Sequence, residues 1–319
     1  MNVSTKGNGG TRRINYRKRK QNIFFATIVA LPILQFCICY IYVNINSIIL
    51  AFQEYATPES GLGFNVTFAG FANFKQAIEL ISVRPHMFKH SFLLFLCTTI
   101  VGLTLALLFS YYIYKQYPMH GVFRVVLFIP KILSAVVFCL LYKYIVNDVY
   151  VYIAETILKV KEPVQGILDN QDTKLAGILF FSVWVSFGVS VLMFTGSMSG
   201  IDESIVESAQ LDGANTIQEF IYITVPMVWP TFVSFLTIHI AGIFSDQMHV
   251  HTFYGNNGDE MSTFGYYLYV QANKANYIST DSSPSFSVLS AMGAMITAVM
   301  MPTILGIRKV LRKYGPSVD

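Results

Sequence analysis

The sequence predicts an all-α integral membrane protein with six transmembrane helices and both termini in the cytoplasm. Three observations carry this. First, the 319 residues are 54% hydrophobic and 13% charged, with a mean hydropathy of +0.51, where a soluble globular chain carries about 25% charged residues. Second, six runs are free or nearly free of charge: residues 23–53, 91–114, 122–146, 175–195, 221–245 and 285–307. Third, of 22 Lys and Arg, seven lie in the first 20 residues and four in the last 12. Basic flanks mark the cytoplasmic side of a membrane, and two cytoplasmic termini require an even number of spans.

Residues 1–22 form a polar, then basic, tail. A span follows it at once, so it reads as a cytoplasmic anchor rather than a nucleic-acid site. No cleavage site follows a short apolar region, so it is not a removable signal peptide. The first span, 23–53, is longer than the roughly 20 residues a bilayer needs, and Pro32 is expected to kink it. It is expected to sit beside a core of the other five. A mixed loop, 54–88, follows on the outer side. The third run contains Lys131 and Lys143; each lies several residues from an end, where a lysine can snorkel to the interface. Without that run the basic C-terminus would fall outside, so it is kept as a span. The outer loops are then 54–88, 148–172 and 248–284. The inner ones are a tight turn near residues 116–121 and the segment 197–220.

The chemistry of several enzyme classes is absent. The sequence has no GxxxxGK[ST] phosphate loop, no HExxH, no GxSxG and no CxxC. Cys37, Cys39, Cys97 and Cys139 all fall in apolar runs and read as small core residues rather than a disulfide framework. His249 and His251 form an HxH without a third nearby ligand, so no metal site is expected. Residues 65–67 match a glycosylation sequon, a short pattern common by chance. No Asp or Glu lies in the middle of a span, and ion-coupled carriers place carboxylates there. His239, deep in the fifth run, reads as a hydrogen-bonded structural residue ahead of a proton relay. A chain without its own phosphate loop or mid-membrane carboxylates needs an external energy source.

The inner segment 197–220 breaks the charge pattern. It carries Asp202, Glu203, Glu207, Asp212 and Glu219 and no Lys or Arg. Asp202 is expected to cap a helix starting at Glu203, with Ile205, Val206 and Ala209 as an apolar face. Gly213 is suited to end it in the left-handed conformation. Thr216-Ile217-Gln218-Glu219 reads as a capping box for a second helix running into the fifth span, and Pro226 and Pro230 are expected to bend that helix. On physical grounds alone the segment is equally a docking element or an ordinary amphipathic cytosolic loop.

The arrangement of Glu207, Ala209, Asp212, Gly213, Ala214, Phe220, Ile223, Pro226 and Pro230 resembles the EAA motif of permease subunits in binding-protein-dependent ABC importers. The middle alanine of the motif is Ser208 here, and a proline often found upstream is Asp202. The run from Arg124 to Pro130, with Ser134, Val136, Val137, Tyr142, Lys143 and Tyr144, resembles the third helix of carbohydrate-uptake permeases. Residues 70–74, with Gly70, Asn73 and Phe74, resemble their G-x-x-N-F before the second helix. Residues 244–269 resemble their segment after the fifth, with a degenerate Gly-rich stretch at Gly255 and Gly258. The resemblance covers residues 22–313 and is similar to the maltose-transport subunits. It implies a type I ABC importer permease fold: a core domain over 89–307 holding spans two to six, EAA coupling helices at 201–220 between spans four and five, and a basic tail at 308–319.

The resemblance also implies a function. A sugar, an oligosaccharide in the reading kept here, would be delivered by an extracytoplasmic binding protein. A second permease subunit, as a heterodimer, and two ATP-binding ATPase subunits would complete the assembly, with ATP and Mg held on the ATPase and no cofactor or enzyme site on this chain. Glu203, Glu207, Ala209, Asp212, Gly213 and Ala214 would dock and bend, and Phe220, Pro226 and Pro230 would pass movement to the fifth span. Phe244, Asp246, Gln247 and Tyr254 are the candidates for a substrate path. The chain would lie in a bacterial cell membrane. Two alternatives remain at this point: a permease of the same fold for a peptide, amino acid or phosphate, and a membrane scaffold without transport.

Overall fold

A computed structural model describes residues 9–56, 63–160, 163–276 and 284–316. Parts of the N-terminal tail, of each outer loop and the last three residues therefore lie outside the described residues. Five helices are long and apolar enough to cross a membrane, and a bent helix pair brings the number to six if it is one span.

Helix α1 runs Gly9–Phe36, passes a π turn at Cys37–Tyr42 and closes with Val43–Ala51. The basic tail is thus partly helical, and the helix continues through Pro32. None of its apolar window is buried, which fits the expected peripheral place of the first span. Cys37 and Cys39 face outward and only Cys139 is fully in the core, so the reading of all four cysteines as core residues fails for that pair.

The expected loop 54–88 is largely ordered structure. Strands β1 (Gln53–Ala56) and β2 (Asn65–Phe68) pair antiparallel, with Gln53 opposite Phe68, and helix α2 (Ala72–Ser82) follows. The signal for it was Asn73. That side chain is buried, and its Nδ2 donates to the carbonyls of Ala51 (3.0 Å) and Gln53 (2.9 Å). It thereby satisfies the carbonyls left open where α1 ends.

Helix α3 (His86–Tyr114) contains a π turn at Cys97–Gly102. The third run does not form one helix over 122–146. Helix α4 (His120–Ile132) carries Pro130 in its last turn, Leu133 and Ser134 are extended, and α5 (Ala135–Ile157) restarts beyond them. The long apolar helix is therefore displaced outward, and Asp148 and Glu155 ride on it rather than in a loop. Helix α6 (Gln171–Met198) starts at Asn170, whose side chain accepts from Asp172 N. It passes α4 so closely that a Cβ on Gly188 would lie 2.4 Å from the carbonyl oxygen of Leu127.

After α6 come α7 (Glu203–Leu211), α8 (Thr216–Met227) and α9 (Trp229–Gly242). Short α10 (Val250–Tyr254), α11 (Phe264–Lys274) and the long α12 (Phe286–Tyr314) complete the chain. The expected outer loop 248–284 thus also holds two helices. Tyr266 anchors them: its hydroxyl accepts from Gly258 N (2.9 Å) and donates to the Gly255 carbonyl (2.8 Å).

Buried side chains form three clusters. One joins α5, α6, α10 and α11 around Tyr142, Phe181, Phe253 and Tyr266. A second joins α3, α6, α7 and the α8–α9 bend through Leu103, Phe194, Met198, Val206 and Val228. The third holds α1, α2, α11 and α12 together through Ala51, Ala77, Phe264 and Met292.

Replacing Asn73 with Ala or Asp removes both Nδ2 donors, and a lost buried hydrogen-bonding group costs about 1–3 kcal/mol. Both variants are expected to lower the thermal unfolding midpoint of the detergent-solubilised chain. Midpoints equal to wild type would show that the junction does not depend on Asn73.

Candidate functional site

The stretch around α7 forms as its local chemistry requires. Asp202 is extended, and its carboxylate accepts from Ser204 N (3.0 Å) and Ser204 Oγ (2.9 Å). These two bonds, the backbone one foremost, hold its carboxyl below the usual carboxylate range. Of the expected apolar face, Val206 is buried in the second cluster and Ala209 is half-buried, while Ile205 is exposed. Glu203, Glu207 and Asp212 are exposed and have no ion-pair partner among the described residues. Gly213 has φ +86°, and a Cβ there would meet nothing. Conformation rather than space therefore calls for glycine at this corner.

The second helix is capped one residue earlier than expected. Asn215 Oδ1 accepts from Gln218 N (2.9 Å) and Gln218 Oε1 accepts from Asn215 N (2.8 Å), a complete capping box. Thr216 and Glu219 are not its partners. Glu219 is released for another task and is 3% exposed. It forms an ion pair with Lys115, accepts from Tyr111 Oη (3.1 Å) on Oε1, and accepts from Gln210 Nε2 (3.2 Å) on Oε2. Tyr111 Oη also lies 3.2 Å from the Thr216 carbonyl, and the Phe220 ring packs 4.8 Å from the Tyr111 ring. One of the five acids of this segment is thus neutralised within the chain.

Beyond Phe220 the helix passes a π turn at Phe220–Thr224 and breaks at Val228. The axes of Thr216–Met227 and Trp229–Gly242 differ by 67°. Pro226 and Pro230 flank the break, as expected of residues that remove backbone donors. The bend is held from outside. Trp229 Nε1 donates to the Leu311 carbonyl (3.2 Å) and the hydroxyls of Ser197 and Thr231 lie 2.6 Å apart. Val228 itself is buried. Around this element Ile205, Leu211, Ile217, Ile221 and Tyr222 are exposed, Leu211 at 89%.

The four expected substrate-path residues each have partners within the chain. Phe244 packs against Phe88 (5.4 Å between centroids) and Phe264 (6.0 Å) and lines a hollow with Tyr40, Leu268 and Ile296. Asp246 Oδ1 accepts from Met248 N (2.8 Å), and its carbonyl accepts from Thr263 Oγ1 (2.7 Å). Gln247 is half-buried beside it, its carbonyl accepting from Val250 N (3.0 Å). Tyr254 donates to the Leu168 carbonyl (2.8 Å), with Lys143 Nζ 5.9 Å and Lys174 Nζ 5.3 Å from its ring centre. Burial, with the charge of Asp169 added, pushes its hydroxyl well above the usual phenol range. Lys143 therefore rests on an aromatic ring rather than simply snorkelling. His239 is half-buried with Nδ1 3.1 Å from Thr99 Oγ1, in keeping with the structural reading.

Sequence reasoning missed Tyr111, Lys115, Gln210 and Trp229. Lys115 stands just beyond the apolar run 91–114, where it reads as an ordinary flanking cation. Only its distant partner gives it meaning.

Known proteins share this architecture. The chain is 26% identical over 313 residues to the arabinooligosaccharides transport system permease protein AraP of Bacillus subtilis, covering 97% of this chain and 92% of that one. The protein of the same name from Halalkalibacterium halodurans is 24% identical, covering 76% of each. The inner membrane ABC transporter permease protein YcjO of Escherichia coli is 24% identical over 65% of this chain and 67% of its own length. A chain of a bacterial ABC transporter for import of the acidic polysaccharide alginate superposes with a TM-score of 0.71 over 94% of this chain and 98% of its own, at 17% identity. The bacterial alginate ABC transporter in complex with alginate pentasaccharide-bound periplasmic protein gives 0.70 over 93% and 97%, also at 17%. At that identity they share the fold. A family model matches residues 98–313, more than half of the chain, and it reaches from α3 through the bent helix pair to the end of α12. The chain belongs to the family described as binding-protein-dependent transport system inner membrane component.

Proposed function

We propose that this chain is the membrane permease subunit of an ATP-driven importer and that its cargo is an oligosaccharide. The observation that carries the reading is the α7–Gly213–α8 element. It presents uncompensated Glu203, Glu207 and Asp212 beside exposed Leu211, Ile217 and Tyr222, and it is continuous with a helix bent by 67°. A surface both acidic and apolar fits a partner protein with basic and apolar groups in a cleft. The partner is an ATPase subunit that holds ATP and Mg. Two such subunits, a second permease and an extracytoplasmic binding protein complete the assembly. The bent pair counts as the fifth of six spans, and both termini are cytoplasmic.

The coupling roles in this reading are distributed along the element. Glu203, Glu207, Ala209 and Asp212 lie on the docking helix. Gly213 and Ala214 form the corner. Phe220 packs the second helix on Tyr111, and Pro226 and Pro230 flank the bend that carries movement outward. The cargo rests on a different support: the arabinooligosaccharide permease of Bacillus subtilis aligns over 97% of this chain. Phe244, Asp246, Gln247 and Tyr254 are the residues assigned to the substrate path of this subunit.

Glu207→Arg and Gly213→Pro are each expected to reduce binding-protein-dependent uptake by about 10-fold or more, the scale of a coupling free energy of 1–3 kcal/mol. Glu207→Arg is also expected to weaken copurification of the ATPase. Wild-type uptake and copurification in both variants would sink the coupling role. Deleting residues 203–214 is expected to abolish ATPase binding while the chain still inserts. For the cargo, uptake of a labelled neutral pentose oligosaccharide should be competed by unlabelled oligosaccharide and not by an amino acid or peptide. Competition by the peptide instead would place the cargo outside the sugars.

A further inference from the structure

We propose that Glu219 is a positioning residue that ties the docking helix α7 to the inner end of α3. A displacement imposed on α7 then reaches α3 directly, in parallel with the route through the bend at Val228. The inference deepens the docking reading above and rests on it.

Glu219 is the meeting point of three elements. Its Oε1 takes the ammonium of Lys115 and the hydroxyl of Tyr111, both at the end of α3, and its Oε2 takes the amide of Gln210 on α7. Both carboxylate oxygens are engaged, by different elements, in a place 3% exposed. Lys115 is itself confined, its Nζ lying 5.9 Å from the ring centre of Tyr111 and 5.8 Å from that of Tyr114. Phe220, the next residue, packs its ring against that of Tyr111 at a tilt of 56° and so repeats the tie in apolar form. A buried carboxylate held by a cation and two neutral donors resists sliding, because any shift leaves a desolvated charge unpaired. Asp202 caps α7, while Glu203, Glu207 and Asp212 are exposed.

The consequence is a division within the acidic set: Glu203, Glu207 and Asp212 face outward, and Glu219 faces the transporter. The corner at Gly213 separates the two halves, yet Gln210 and Glu219 bridge across it. The α7–α8 element therefore moves as one body with the end of α3. Helix α3 in turn packs on α6, where Ser110 Oγ donates to the Val191 carbonyl (2.9 Å).

The test uses the full transporter, with both ATPases and the binding protein, in proteoliposomes. Glu219→Gln and Lys115→Met are expected to assemble, bind the ATPase and hydrolyse ATP, but to move at least about fivefold less solute per ATP consumed, the lower bound of typical coupling. The exchange Lys115→Glu with Glu219→Lys is expected to restore much of that ratio. An unchanged ratio in Glu219→Gln would overturn the proposal. So would loss of the ATPase from that variant, which would make Glu219 a docking contact. Where the variants do not assemble, spin labels on Leu211→Cys and Pro118→Cys, in a background lacking the four native cysteines, decide the matter in the otherwise native transporter. Their separation is expected to stay constant between nucleotide-free and ATP-bound states, while that from Leu211→Cys to Ser234→Cys on α9 changes. A change in the first separation overturns the tie between α7 and α3. If neither separation changes, the docking reading itself falls and takes this one with it.

Discussion

A buried backbone N–H or C=O left without a hydrogen-bond partner costs about 1–3 kcal/mol, within the membrane spans and in the packed segments that join them. Helices answer this by construction, so the informative places are where this chain stops being helical. At four of them a specific side chain supplies a partner. Asn73 takes the carbonyls of Ala51 and Gln53 at the end of α1. Asn147 Oδ1 accepts from Leu168 N beyond α5 (2.9 Å). Tyr266 joins Gly255 to Gly258. Trp229 reaches the last carbonyls of α12. The breaks are therefore fixed joints rather than loose ends.

Fixed joints decide how force can travel. The bend at Val228 is clamped on one side by Leu311 and on the other by the Ser197–Thr231 contact. Val228 is buried among Phe194, Met198 and Val206. Helix α7 joins this packed cluster through Val206. Cores of native density do not deform continuously, and packed elements shift between discrete arrangements. A π turn at Phe220–Thr224 lies between α7 and this bend; such turns are rare interruptions of α-helices and often mark functional sites.

The fold was legible where it depended on local composition. Charge-free runs located α1, α3, α6 and α12, and the prolines marked the bend. The third run misled because apolarity does not report dihedrals: Leu133 and Ser134 are extended and split the run into two helices. The outer segments misled for the opposite reason. Their helices and hairpin are polar enough to read as loops, and they persist because Asn73, Tyr266 and Thr263 hold them from a distance, contacts that no local window contains.

The candidate site divides along the same line. The Asp202 cap and the Gly213 corner depend on neighbours within a few residues, and the sequence located both. The capping box slipped by one because Asn215–Gln218 and Thr216–Glu219 satisfy the same pattern, and local chemistry ranks them nearly equally. What separates them is Lys115, 104 positions away along the chain (219 − 115). Placing Glu219 at the cap would leave the half-buried Lys115 ammonium beside Tyr111 without its anion and the Tyr111 hydroxyl without its carboxylate. Asn215 and Thr216 differ little as caps, so this pairing is enough to decide between them. The tertiary charge therefore sets the local register. The same argument explains why the net acidity of the segment overstated its outward charge. Acidic residues counted along a sequence are candidates for a partner only after those already answered from within have been set aside.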